Sequence, residues 1–256
     1  MSVRLISRLD IKMSHLIKGV QMEGWRKIGS PIEHAIMYYE QGVDEILYID
    51  VVASLYERNN LHDVLKGVAE HTFVPITVGG GITDLGAARS LMALGADKLA
   101  INTAATKNPR LLNELSDKFG SQAVVLNLEC KSLPDGRWTV MTDNGRNHTG
   151  RDAVAWAIEA VSHGVGEILI SSIDRDGSKK GMDLDLINAI SKEVEVPIVV
   201  SGGCASFDHA RSAIDCGADA IAIGAALHSG ELSLVDLRSQ LLEDDYVVRP
   251  VYGLAS

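Results

Sequence analysis

The sequence predicts a closed (β/α)8 barrel, an α/β fold of eight parallel strands, each followed by a helix, built from two repeated half-barrels. Segments rich in β-branched residues alternate with segments of helical periodicity along the chain, which is typical of parallel α/β folds. The length of 256 residues suits one such barrel. An internal repeat relates two halves, about 1–122 and 123–256, within a single domain over 1–256.

Three pairs of similar segments are each separated by 122 residues, for example 196 − 74 = 122. The matching segments are VPITVGGG and VPIVVSGG at 74 and 196, GAD at 95 and 217, and EIL at 45 and 167. Two four-stranded halves that close on each other leave no free sheet edge. The repeat therefore favours a closed barrel over an open sheet.

The strands are expected where the chain is almost continuously apolar, as parallel strands buried on both faces are. These segments lie at 3–9, 45–50, 74–79, 97–102, 123–129, 166–172, 196–201 and 219–224. Helical periodicity is clear over 84–94, where Leu85, Ala88, Leu91 and Met92 share one face. Further helices are expected near 108–118, 152–163, 184–193 and 207–216.

The composition limits the classes of function. Hydrophobic residues make up 46% of the chain, which excludes a disordered protein. The 24 basic and 34 acidic residues give a net charge of −10, which argues against nucleic acid as a partner. No apolar run approaches the roughly 18–20 residues of a membrane span, and no secretory signal is visible. With three scattered cysteines, Cys130, Cys204 and Cys216, we expect a cytoplasmic protein without membrane contact.

Two carboxylates are candidates for catalysis, because active sites of barrels lie at the carboxyl ends of the strands. Asp10 follows the first strand and Glu129 follows the fifth, which faces it across the mouth. Such a pair can divide into an acid and a base when its surroundings separate the two pKa values. The alternative is two solvated loop carboxylates.

Glycine pairs after alternate strands predict two phosphate sites. Glycine lets an anion approach the backbone, and the following helix supplies free N–H groups. One site is expected after strands 3 and 4 and the other after strands 7 and 8, from Gly80, Gly81, Asn102, Thr103, Gly202, Gly203, Gly224 and Ala225. Sites on opposite sides of the mouth indicate a substrate phosphorylated at both ends. Tight turns are the alternative use of these glycines.

Two further loops carry candidate ligand-binding residues. The connection from about 11 to 30 is long and holds Lys18, so we interpret it as a mobile lid over an anionic ligand. A solvated loop is the alternative. The loop after strand 6 holds Asp174, Asp176 and Gly177, whose carboxylates are either ligands or caps of the loop. No spacing of His, Cys and Glu suggests a metal site, and no cofactor is expected.

Charged residues stand at the starts of four strands, at the opposite end of the barrel. Arg4, Glu45, Lys98 and Glu167 alternate in sign. They could form a closed ring of ion pairs across the barrel axis. The spacing alone favours a structural role.

The motifs together resemble the cyclase subunits of imidazole glycerol phosphate synthase, barrels of histidine biosynthesis, over nearly the whole chain. The strongest stretches are LDIK at 9, KGV at 18, TVGGGI at 77, GADK at 95, INTAA at 101, FGSQ at 119 and GEIL at 166. The most specific is SIDRDG at 172.

The resemblance implies a reaction and a set of roles. That family adds ammonia to a ribulosyl formimino-carboxamide ribotide with two phosphates, cleaves it and closes an imidazole ring. The ammonia comes from a glutaminase bound at the N-terminal face, and it travels through the barrel. Asp10 and Glu129 would then be the acid and base, the charged ring an ammonia gate, and Asp97 a contact with the glutaminase.

Three departures from the family pattern leave an alternative open. Arg8 replaces a cysteine, Glu129 replaces an aspartate, and the lid lacks the usual phenylalanine. A longer carboxylate moves the reacting oxygens by about 1.5 Å, which can cost about 10²-fold in rate. The alternative is a paralogue that channels ammonia to another acceptor, such as a surface sugar. Two more remote alternatives are a non-catalytic scaffold that binds a glutaminase and a related isomerase of the same pathway.

Overall fold

The computed structural model describes residues 2–53 and 61–250. Within them one sheet contains twelve strands: β1 (Arg4–Lys12), β2 (His15–Val20), β3 (Glu23–Gly29), β4 (Glu45–Asp50), β5 (Ile76–Gly79), β6 (Lys98–Ile101), β7 (Val124–Ser132), β8 (Trp138–Thr142), β9 (Asn147–Asp152), β10 (Glu167–Ser172), β11 (Ile198–Ser201) and β12 (Ala220–Ile223).

The helices alternate with the barrel strands, as the periodicity predicts. In the described part they are α1 (Pro31–Glu40), α2 (Leu61–Ala69), α3 (Leu85–Ala93), α4 (Thr103–Lys107), α5 (Arg110–Phe119), α6 (Ala153–Ser162), α7 (Leu184–Ser191), α8 (Phe207–Asp215), α9 (Ala225–His228) and α10 (Leu234–Glu243). Several begin at a side-chain cap: Ser30, Asp84 and Asp152 each accept a hydrogen bond from the first turn of the following helix.

Eight of these strands run parallel and close into a barrel. Their order is β10, β11, β12, β1, β4, β5, β6 and β7, and pairing of β7 with β10 completes the circle. The predicted (β/α)8 barrel is thus confirmed. The carboxyl ends of all eight strands consequently meet at one mouth.

Side chains alternate between the two faces of each barrel strand. Those that face the helices form the main core, which includes Leu5, Leu9 and Trp156. Those that face inward fill the barrel axis with a second, smaller apolar cluster. Its barrel-strand members are Ile6, Leu47, Ile49, Ala100, Val125, Leu169, Val199, Ala220 and Ala222.

The segment between β1 and α1 differs from the expected loop. It forms β2 and β3, which pair antiparallel with β1 and with each other. Leu16 and Ile17 explain the difference, because both are buried and thereby fix β2 on the barrel. A second hairpin, β8 and β9, extends β7 beyond the mouth.

None of the helices in the described ranges is long and apolar enough to cross a membrane.

Candidate active site

Asp10 and Glu129 are both buried at the mouth of the barrel, with relative exposures of 7% and 3%. Each lies near the carboxyl end of its strand, Asp10 on β1 and Glu129 on β7. Both side chains therefore lie at one end of the barrel, although neither is solvated as the alternative interpretation requires.

Two basic side chains hold Asp10. Arg8 Nε lies 2.9 Å from Asp10 Oδ1, and Lys18 Nζ lies 2.8 Å from Asp10 Oδ2. Burial by itself would raise the pKa of Asp10, but the charges of Arg8 and Lys18 outweigh it and hold that pKa below its usual range. Asp10 is therefore a carboxylate at neutral pH.

Glu129 has the opposite electrostatic environment. Its Oε2 accepts a hydrogen bond of 2.8 Å from the Gly145 backbone N–H, and its Oε1 lies 3.5 Å from Asn127 Nδ2. No cation pairs with it among the described residues. Burial raises the pKa of Glu129 to about 7, against the lowering effect of the Gly145 hydrogen bond. Glu129 can therefore gain or lose a proton near neutral pH, whereas Asp10 stays charged.

The Gly145 donor comes from the tight turn between β8 and β9. Asp143, Asn144 and Gly145 have positive φ values of 53°, 57° and 76°. Asparagine and glycine tolerate this left-handed region. The Asn-Gly pair could have signalled the turn from the sequence, but not that its N–H reaches Glu129.

A chain of hydrogen bonds connects the two carboxylates across the barrel. Arg8 Nη1 donates to Ser171 Oγ at 2.8 Å, and Ser171 Oγ lies 3.4 Å from Asn127 Oδ1. Asn127 in turn reaches Glu129. In the sequence Arg8 stands out only as a departure from the family pattern, and no motif marks Ser171 or Asn127. The alternation of side chains along a strand could have placed both on the inner face of the barrel.

One cavity, with a volume of about 310 Å³, lies beside Glu129. It is lined by four of the predicted phosphate-site residues: Gly80, Gly81, Asn102 and Thr103. Gly80 has φ of 103°, and a Cβ there would lie 2.3 Å from the Asp50 carbonyl oxygen, so this position requires glycine.

A second, nearly filled cavity lies on the side of β11 and β12. Its volume is about 10 Å³, space for about one water molecule. The predicted residues that line it are Lys18, Asp176, Gly177, Gly202, Gly203, Gly224 and Ala225. Lys18 Nζ also lies 2.7 Å from Asp176 Oδ1. Burial would lower the pKa of Lys18, but the carboxylates of Asp10 and Asp176 outweigh it and raise that pKa.

Asp174 does not join either cavity. Its Oδ2 accepts hydrogen bonds of 2.8 Å from both the backbone N–H and the hydroxyl of Ser132. It instead lines an open groove on the outside of the mouth. Asp174 thus connects its loop to the end of β7, and its use as a ligand stays a prediction.

The four charged residues at the amino ends of the strands form a closed ring. Arg4 contacts Glu45 at 2.8 Å and Glu167 at 2.7 Å. Lys98 contacts the same two glutamates at 2.8 and 3.1 Å. Arg4 is the most open member, with 27% of its side chain exposed. Solvent therefore reaches the ring from the N-terminal face.

Asp97 is exposed at that same face, next to the ring. Its Oδ2 accepts a hydrogen bond of 2.8 Å from Ile76 N–H. Asp219, its counterpart in the repeat, accepts one of 2.9 Å from Ile198 N–H. Asp97 thus has a structural function that is repeated in the second half.

The arrangement of potential metal ligands does not suggest a bound metal. Over residues 2–53 and 61–250, no group of three or more His, Cys, Asp or Glu side chains could hold an ion. Buried carboxylates and glycine-lined cavities at the mouth are typical of barrel enzymes that act on phosphorylated molecules.

Comparisons with known proteins narrow this class. The family model for histidine biosynthesis protein matches residues 4–233. A relative from Legionella pneumophila is 56% identical over 202 residues, which cover 79% of this chain and 95% of the relative. One from Nocardia farcinica is 40% identical over 254 residues, covering 97% and 99%, and one from Bifidobacterium longum is 41% identical with the same coverage.

All three relatives are named imidazole glycerol phosphate synthase subunit HisF. The chain therefore belongs to the HisF family of histidine biosynthesis proteins.

Proposed function

We propose that this chain is the cyclase subunit of imidazole glycerol phosphate synthase, a lyase. It converts the ribulosyl formimino-carboxamide ribotide and ammonia to imidazole glycerol phosphate and aminoimidazole carboxamide ribotide, with release of one molecule of water. The observation that carries the proposal is the pair of buried carboxylates with separated pKa values at a mouth flanked by two glycine-lined cavities.

The separated pKa values support different roles for the two carboxylates. Glu129 transfers protons, since a pKa of about 7 populates both of its forms at neutral pH. It accepts a proton as ammonia adds, and it returns one to the leaving group during cleavage. Asp10 remains ionised and stabilises the positive charge that develops on the attacking nitrogen.

The two cavities are the binding sites of the two phosphates, and the one on the β11–β12 side, which has space for about one water molecule, widens when the ion pair of Lys18 and Asp176 is displaced. Backbone N–H groups of Gly80, Gly81, Gly202 and Gly203 face the anions without side-chain hindrance. Lys18 supplies a positive charge to the phosphate on the β11–β12 side. Binding at both ends places the reacting centre of the substrate between Asp10 and Glu129.

Ammonia enters from a glutaminase subunit at the N-terminal face of the barrel. The exposure of Arg4 on that face and the apolar lining of the axis support this route. The side chains that fill the axis move aside as ammonia passes, and their apolar surface favours neutral ammonia over ammonium, because a charge there is poorly solvated. The charged ring is the gate, and Asp97 contacts the glutaminase.

No cofactor or metal takes part in the proposed reaction, and the cytoplasm is the proposed compartment. All three cysteines are free thiols, which is compatible with a reducing environment.

The experiment is mass spectrometry of the products from purified protein, the ribotide and an ammonium salt at high pH. Imidazole glycerol phosphate should appear, and Asp10→Asn should lower its rate of formation by about 10²-fold or more, whereas Asp135→Asn, at an exposed position, should leave that rate unchanged. Absence of product with the wild-type protein would refute the proposal. If a glutaminase still bound and supplied ammonia without imidazole formation, the acceptor would be another molecule, such as a surface sugar.

A further inference from the structure

Arg8 is a buried cation in the interior of the barrel. It is 3% exposed and lies on β1 between Ile6 and Asp10, which share its inward orientation. Ile6 belongs to the apolar cluster of the axis. The Arg8 side chain therefore begins directly above that apolar cluster and below the mouth.

The guanidinium of Arg8 extends across the barrel rather than along its own strand. Nη1 donates to Ser171 Oγ on β10 at 2.8 Å and to Ser201 Oγ on β11 at 3.1 Å. These strands are three and two positions away from β1 in the sheet. Nε is held by Asp10, so three strands fix the orientation of one side chain.

Small residues on β12 leave room for this side chain. The inward positions of β12 and the residue after it are Ala220, Ala222 and Gly224. Larger residues at these positions would compete with Arg8 for the same volume.

Arg8 is the central member of a polar layer that spans the barrel. The layer continues from Ser171 to Asn127 on β7, and from there to Glu129. Below it lie apolar side chains, including Leu47, Ala100 and Leu169, and below those the charged ring. A molecule that moves along the axis from the ring to the mouth must pass this layer.

We propose that Arg8 closes the upper end of the barrel interior, and that its guanidinium must move aside before ammonia reaches the mouth. This inference rests on the proposed function for the identity of the molecule that passes. Arg8 thereby controls the delivery of ammonia at the upper end of the axis, as the charged ring does at the lower end. Its bond to Asp10 links the closure to the carboxylate beside the substrate.

The test measures access to the interior without any substrate. A reporter cysteine is introduced by Leu169→Cys, an inward position of the axis cluster two residues before Ser171 on β10. The rate at which methyl methanethiosulfonate labels residue 169 is measured by peptide mass spectrometry, which separates it from Cys130, Cys204 and Cys216. Arg8→Ser should raise this rate by about tenfold or more, because a close-packed interior excludes such a probe.

The control is Arg151→Ala, which removes an arginine stacked on Trp156 outside the barrel axis. It should leave the labelling rate at residue 169 unchanged. If Arg8→Ser does not fold, Ser171→Ala with Ser201→Ala removes the anchors of the guanidinium and should raise the rate as well.

An unchanged rate in a folded variant would overturn the inference. Because labelling requires neither glutaminase nor ribotide, this result is independent of whether the proposed reaction occurs. If the protein did not turn over the ribotide, the proposed function would be wrong, but the measured effect of Arg8 on access to the interior would still stand.

Discussion

Replacement of Glu129 by glutamine tests the electrostatics of the site through protein stability. Burial raises the pKa of this carboxyl from 4.5 to about 7. Between these values the folded chain keeps a proton that the unfolded chain has released. Stability therefore falls as pH rises through this window, and the contribution is lost above the folded pKa.

The magnitude follows from the two pKa values. Because the pKa of Glu129 rises from 4.5 to about 7 on folding, the free energy of unfolding falls by roughly 2–3 kcal/mol between pH 5 and pH 8. Glutamine resembles the protonated acid and can still accept the Gly145 hydrogen bond, but it does not titrate. Glu129→Gln should thus lack this part of the pH dependence.

The assay is urea unfolding of both proteins at pH 5, 6, 7 and 8. The difference between wild type and Glu129→Gln should grow in favour of the variant as pH rises. Glu193→Gln, at an exposed position, serves as the matched control and should follow the wild type. A difference between wild type and Glu129→Gln that stays constant from pH 5 to 8 would show that Glu129 has an ordinary pKa.

Three further predictions concern activity and assembly. Asp10→Asn should lower ammonium-driven turnover by about 10²–10⁴-fold, measured by product chromatography, and near wild-type turnover would exclude a role in the chemistry. Lys98→Met opens the charged ring and should change the ratio of glutamine-driven to ammonium-driven turnover; an unchanged ratio would contradict the gate. Asp97→Ala and Asp219→Ala should each lower stability by about 1 kcal/mol in chemical unfolding, because each removes one hydrogen bond to the backbone. Only Asp97→Ala should also weaken glutaminase binding in calorimetry. Equal affinities of the two variants for the glutaminase would show that Asp97 is not part of the interface.

The fold could be predicted from the sequence because its signals are local and repeated. Continuous apolar segments, the 122-residue spacing and the glycine pairs depend on short stretches of chain. The residues of the charged ring could also be predicted from the sequence, because they lie at the starts of the predicted strands. The division into halves at 122 stays a prediction.

The electrostatics of the site could not be predicted in the same way. The proton affinity of Glu129 depends on burial and on a donor from a hairpin turn sixteen residues later. The state of Asp10 depends on Arg8 and on Lys18, which β2 brings back over β1. The strand character of β2 and β3 was missed because polar and apolar residues mix there, so the segment resembles a loop.

The unequal filling of the two cavities has a consequence for how a ligand is oriented. The backbones after β5 and β11 follow the same glycine pattern, yet one cavity is open and the other is occupied by Lys18 from the first half alone. A molecule with similar groups at its two ends thus meets two different sites: one end enters an open cavity, and the other must displace the ion pair of Lys18 and Asp176. The protein can tell head from tail even though its scaffold is nearly symmetric.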